Sequence, residues 1–201
     1  MAQTRILQVL ATAEALEAMT PLAREGFGVR IAAGLSLRST LADDLGLGPE
    51  CVEKRIQTVF LDGSPVDDID QDFARPGSTL ALAGALPGVA GIAMQRGSRI
   101  GVFREGITHS AVRDLPASDR SLRITLKLFN TVAVECLAQI LSRGVEVRSG
   151  RLAELLDDNP EALTQATFLL DGAPLDRTAL VSALRGGREP LSMVAGAGAP
   201  Q

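Results

Sequence analysis

The densest group of chemistry-bearing side chains in this 201-residue sequence is Asp67-Asp68-Ile69-Asp70-Gln71-Asp72. Carboxylates at alternate positions are what a calcium loop supplies. A calcium-loop register beginning at Asp68 places Phe73 where the sharp turn needs Gly, and Thr79 where a bidentate Glu is needed. The run is therefore expected to be a solvated loop, and no metal or other cofactor is assigned. His109 is the sole histidine and sits in Ile107-Thr108-His109-Ser110. No Gly-x-Ser-x-Gly elbow and no phosphate-loop pattern accompanies it, so no catalytic residue is assigned. Arg96, Arg99 and Arg104 are a candidate anion site, because guanidinium forks suit phosphate or carboxylate. Cys51 and Cys136 form no Cys-x-x-Cys pair. The reading is two reduced, packed thiols in a cytoplasmic protein, with a single disulfide between them left open.

Composition narrows the function classes. Hydrophobic residues make up 46% and charged residues 22%, values that build an ordinary globular core. Trp and Tyr are absent and Phe occurs six times, so aliphatic side chains and Ala must fill that core. The formal charge of −4 and the scarcity of aromatic side chains argue against nucleic acid as a partner, since binding there needs phosphate neutralisation and stacking. Met1 to Leu10 lacks the pattern of a signal peptide. The apolar run Thr79 to Met94 is interrupted by Gly84, Pro87, Gly88 and Gly91, and is short of the ~20 residues of a bilayer span. It reads as buried or interfacial.

One stretch occurs twice. Phe60-Leu61-Asp62-Gly63-Ser64-Pro65-Val66-Asp67 is matched by Leu169-Leu170-Asp171-Gly172-Ala173-Pro174-Leu175-Asp176. An apolar run ending in Asp-Gly reads as a strand entering a tight turn. Upstream, Gly34-Leu35-Ser36-Leu37-Arg38-Ser39 is matched by Gly144-Val145-Glu146-Val147-Arg148-Ser149, and each unit opens on an Arg-Ile strand, at Arg5 and Arg123. Landmarks in one order, spaced by roughly half the chain, suit two similar units rather than a solenoid.

The elements that hold these landmarks follow from periodicity. Arg5–Ala11 reads as a strand, and Ala13–Arg24 as a helix that Pro21 kinks or splits. Ser39 or Thr40 is expected to cap a helix from Leu41. Ile56–Leu61 and Thr79–Ala83 are strands, separated by a type II turn at Arg75-Pro76-Gly77-Ser78. In the second unit Leu122–Phe129 alternates cleanly, Val132–Leu141 and Leu152–Leu163 read as helices, and Ala166–Leu170 and Leu191–Val194 as strands. Ala195–Gln201 reads as a frayed tail. Residues 85–120 have no counterpart and are rich in Gly and Arg.

Helix, strand, Asp-Gly-x-Pro-Val turn, Pro-Gly and closing apolar strand together resemble the β-grasp (ubiquitin-like) fold. Leu35 to Gly88 looks most like the small sulfur-carrier proteins of thiamine and molybdopterin biosynthesis. Asp62-Gly63 stands where those proteins have Asn-Gly, and Gly77-Ser78 where they have Gly-Asp. The resemblance implies an α+β chain of two tandem β-grasp-like units, 1–84 and 121–201, with 85–120 as an insert or connector. Carrier chemistry uses a terminal Gly-Gly. This sequence ends Gly196-Ala197-Gly198-Ala199-Pro200-Gln201, so a carrier role would require cleavage near Gly88.

The expected function is non-catalytic: a protein-interaction or oligomerisation protein whose partner is another protein or its own copies. Its interface is expected at Leu86, Val89, Ile92, Met94, Ile100, Val102 and Phe103, because an apolar stretch of that length normally needs a partner. The alternatives are a sulfur-carrier-like protein of cofactor biosynthesis and a small-molecule or anion-binding protein.

Overall fold

The computed structural model describes residues 4–98 and 121–197. In chain order the elements are β1 (Ile6–Ala11), α1 (Ala13–Leu16), α2 (Thr20–Glu25), β2 (Phe27–Ala32), α3 (Leu37–Ser39), β3 (Thr58–Leu61), β4 (Ser64–Pro65), β5 (Thr79–Ala83) and α4 (Gly88–Met94). After residue 120 come β6 (Ser121–Phe129), α5 (Asn130–Glu135), α6 (Leu137–Arg143), β7 (Val145–Arg148), α7 (Ser149–Asp158), β8 (Thr167–Leu170), β9 (Ala173–Leu175), α8 (Arg177–Leu184) and β10 (Pro190–Ala197). The α+β class holds, in the form of one mixed ten-stranded sheet with order β4-β3-β5-β6-β2-β7-β10-β1-β8-β9.

The stretches 1–84 and 121–201, expected from the sequence as separate units, share this one sheet and interleave in it rather than lying end to end. The first half-sheet, β4-β3-β5-β6-β2, takes its β6 from the second unit. The second half-sheet, β7-β10-β1-β8-β9, takes its β1 from the first. β6 runs parallel to β5 and antiparallel to β2, while β1 runs parallel to β10 and antiparallel to β8. The halves join at one antiparallel bridge, Gly28–Glu146. Period-two alternation determines which face a strand buries but leaves the choice of neighbour open. The sequence repeat was therefore visible while the exchange was not.

One face of the sheet carries the core. β1 alternates exposed and buried residues, with Leu7, Val9 and Ala11 inward, and β6 does the same with Leu122, Ile124, Leu126 and Leu128. Leu7 lies opposite Met193 and Leu170, and Leu126 opposite Phe27 and Leu80, all buried. Helices pack on these strands, α6 against β10 and α2 against β6, giving the two-layer solution for an amphipathic sheet.

Both repeated turns form as their residues dictate. Asp62 and Gly63 have φ of 52° and 84°, and Asp171 and Gly172 have 52° and 82°. Positive φ at both central positions is the geometry of a two-residue type I′ hairpin. Each Asp then grips a neighbouring strand. Asp62 Oδ1 accepts from the Thr79 amide at 2.7 Å and Oδ2 from the Ser78 hydroxyl at 2.9 Å. Asp171 Oδ1 accepts from the Ile6 amide at 2.8 Å, and Arg5 Nε donates to Oδ2 at 3.2 Å. One clamp holds β5 and the other holds the exchanged β1.

These contacts favour the ionised form of Asp171, and the Ile6 amide and then Arg5 hold its carboxyl below the usual carboxylate range. A lowered folded value contributes stability above the unfolded value of about 3.9, and that stability is lost as pH falls through the folded value. Asp171→Asn is therefore expected to be less stable than the parent at neutral pH, with the difference closing as the solution is acidified. Denaturant midpoints measured through this range check it, and a difference that persists at the acid end would contradict it.

Several local expectations are corrected. Ser36, not Ser39 or Thr40, caps the helix of the first unit: its Oγ accepts from the Ser39 amide at 3.3 Å. The helix then widens into a π-helical turn, Thr40–Asp44, and a second such turn spans Cys51–Arg55. The Ala13–Arg24 helix splits before Pro21, which sits in the first turn of α2 where its missing amide costs nothing. α7 is Ser149–Asp158 rather than Leu152–Leu163. The expected tail begins too early, because β10 continues to Ala197 alongside β1. α8 was not anticipated, although Asp176 signals it by capping the Ala179 amide at 2.7 Å. The type II turn at Pro76-Gly77 is as expected, with Gly77 at φ 81° and Ser78 N–H bonded to Arg75 C=O at 3.0 Å.

Candidate functional site

The acidic run has commitments of its own. Asp70 is paired with Arg38, at 2.5 Å and 3.0 Å from its Nε and Nη2, and Arg38 also reaches Glu53. Arg38 holds the Asp70 carboxyl below its ordinary range. Ile69 is buried, and its carbonyl, with that of Asp72, accepts from the first amides of α3. The loop is thus tied to α3 rather than simply solvated. Among the described residues no three His, Cys, Asp or Glu side chains converge as metal ligands.

Arg96 is drawn inward. Its Nη2 donates to the carbonyls of Val52 at 2.7 Å and Ile56 at 2.6 Å, and its amide donates to Gln57 C=O at 2.8 Å. Burial lowers its affinity for the proton relative to a solvated guanidinium. It caps the Cys51–Arg55 turn, where orphan carbonyls collect. Arg177 does the same for α7 through Leu156 and Asn159. Neither capping role was read from the sequence, because the partners are backbone carbonyls. Arg99 and Arg104, the rest of the candidate anion site, lie outside the described residues, as do Ile100, Val102, Phe103 and His109.

Of the expected interface residues, Leu86 precedes α4 and is half-buried, Val89 lies in α4, Ile92 on α4 is 48% exposed, and Met94 at its end is half-buried. Gly91 is required there, since a Cβ would come within 2.3 Å of the Leu86 carbonyl oxygen. Leu80 and Leu82, at the front of the same apolar run, are fully buried core residues of β5.

Among the described residues, the face of the sheet opposite the core is open in its second half. Ile6 and Leu10 on β1 and Val194 on β10 are 49%, 42% and 38% exposed. Gln8 lies between Val194 and Leu169 across the three strands, so all these side chains share that face. The patch carries no charged side chain at these positions. Ile6 and Leu10 are not among the interface residues expected from the sequence, which reads Arg5–Ala11 simply as a strand.

Where the two halves meet, the surface turns ionic. Glu146 accepts from Arg123 at 2.5 Å and Arg30 at 3.2 Å. Gly28 allows this close approach, because a Cβ would meet Arg123 at 2.8 Å and Glu146 at 3.1 Å. Beyond it the strands splay into a cleft of about 320 Å³ holding Glu25, Arg148 and Arg151. Arg151 binds Glu25 at 2.5 Å and Glu154 at 2.7 Å, and it lowers the Glu25 pKa. A neighbouring hollow lies between α7 and the Arg185–Arg188 turn. Its Arg185 pairs with Asp157 at 2.6 Å, and the Ser149 hydroxyl donates to Glu189 C=O. Neither hollow brings a nucleophile to a base. What they present is paired charge.

Comparison with protein-family models, with curated proteins and with solved structures finds no match to this chain. Among the described residues no helix is long and apolar enough to cross a membrane.

Proposed function

We propose that this chain is a non-catalytic association protein built from duplicated β-grasp-like units, and that it pairs with a second copy of itself. Each half of the sheet supports the first part: a strand, a covering helix, then a strand, an Asp-Gly turn and a strand, with a parallel neighbour. The bare apolar face of β1 and β10 carries the second part. Leu7, Val9, Met193 and Ala195 on the other face of these strands are buried, whereas among the described residues nothing covers Ile6, Leu10 and Val194 in adjacent strands. An uncharged apolar patch can pack on its own copy, and sheets pack face to face at about 10 Å through such rows. A second surface is favoured by Ile92, exposed on the α4 helix that Arg96 anchors.

Sedimentation equilibrium separates these surfaces. The parent is expected at twice the chain mass of 21.1 kDa. Leu10→Glu with Val194→Glu is expected to give a folded monomer, while Ile92→Glu leaves the dimer intact. A dimer broken only by Ile92→Glu moves the interface to α4, and a monomeric parent sinks self-association.

A further inference from the structure

Cys51 and Cys136 are far apart in sequence and together in space. Cys51 opens the π-helical turn that ends at Arg55, on the first unit. Cys136 sits at the junction of α5 and α6, on the connection that carries the second unit away from β6. Their sulfurs are 2.7 Å apart, inside the non-bonded contact distance of two sulfur atoms. Backbone bonds hold both positions: Ile56 N–H to Cys51 C=O at 3.0 Å, and Cys136 N–H to Val132 C=O at 3.1 Å. Ordinary packing of two thiols asks for neither this approach nor such fixed carriers.

We propose that Cys51 and Cys136 are a reversible redox clasp, which closes as an intramolecular disulfide and ties the exchanged strand β6 to the unit that receives it. The two thiols differ in access. Cys136 is 1% exposed, whereas Cys51 is only partly buried. Burial, and then the Cys51 contact, push the Cys136 thiol up, so it is a poor first nucleophile. Cys51 therefore reacts first. Its thiolate attacks one sulfur of a low-molecular-weight disulfide such as glutathione disulfide, whose S–S bond breaks and releases one thiolate. Cys136 then gives its proton to solvent and attacks Cys51 Sγ, and the second small thiolate leaves. Two protein thiols are oxidised and one small disulfide is reduced to two thiols.

The bond would close a chain segment that includes the whole 85–120 stretch and the exchanged β6. Constraint of so long a loop acts mainly on the unfolded chain. The reduced form keeps β6 in place through its ladders to β2 and β5 and its buried side chains, with no covalent tie.

The full-length protein, equilibrated in glutathione buffers from reducing to oxidising, provides the test. Intact mass is expected to fall by about 2 Da, with no glutathione attached and both thiols closed to alkylation. The thermal midpoint is expected to rise by about 10 °C on oxidation. Cys136→Ala should trap Cys51 as a glutathione mixed disulfide, and Cys51→Ala should leave the buried Cys136 unmodified. Thiols that stay open to alkylation in oxidising buffer overturn the proposal. So does a bond that forms only between molecules, or one that forms without raising the midpoint. The parent measurement stands even if a variant fails to fold.

Discussion

Residues 1–98 and residues 121–201, made as separate chains, are each expected to remain unfolded and to fold together when mixed in equal amounts. The first chain ends with β1 lacking both its neighbours, β8 and β10, and with β2 and β5 lacking β6 between them. The second lacks β1 between β10 and β8. Leu7 and Val9 alone would lose burial worth roughly 3–6 kcal/mol, at about 1.5–3 kcal/mol each. Against a total domain stability of about 5–15 kcal/mol, that loss is decisive even before Leu122 to Leu128 are counted. Far-UV circular dichroism during heating checks this. The expected result is one cooperative transition from the mixture and none from either part. A cooperative transition from one part alone would mean that its opening strand can return to its own unit.

The second large effect lies within the exchanged strands. Leu126→Ala and Leu7→Ala should each cost about 3–4 kcal/mol, since both side chains are fully buried between two neighbouring strands. For a chain of this size that is a fall of roughly 10 °C in the thermal midpoint. Leu10→Ala, on the same strand as Leu7 but on the open face, should change the stability of the single chain, measured at concentrations too low for pairing, by about 0.5 kcal/mol or less. Chemical denaturation with linear extrapolation measures all three. A mild Leu126→Ala together with a severe Leu10→Ala would mean that the inward and outward faces of the sheet are reversed.

Legibility varied with the range of the determining contacts. The two Asp-Gly turns were readable because a type I′ hairpin is decided by two adjacent residues, and the structure places both at positive φ. The alternation of Ile124, Leu126 and Leu128 was readable because a strand's face is local to the strand. The exchange of β1 and β6 was not, because Leu7 would be equally buried beside a strand of either unit. Arg96 and Arg177 illustrate the same limit at the scale of a side chain. Their partners are carbonyls with no residue signature, so a basic residue that looks suited to an anion closes a helical turn instead. Cys51 and Cys136 were visible as a pair only in composition, and their distance is a property of the assembled fold.

The exchange also has a cost during synthesis. β1 leaves a ribosome more than a hundred residues before its partners, which span Thr167–Leu170 and Pro190–Ala197. At the usual rates of translation the strand waits roughly 10 to 40 s for them, with Ile6, Leu7, Val9 and Leu10 unpaired. Pairing between the ends of a chain is also the slowest kind to form once both ends exist. The exposed, aggregation-prone stretch of a growing chain is therefore β1 itself, until Thr167–Leu170 and Pro190–Ala197 have been made.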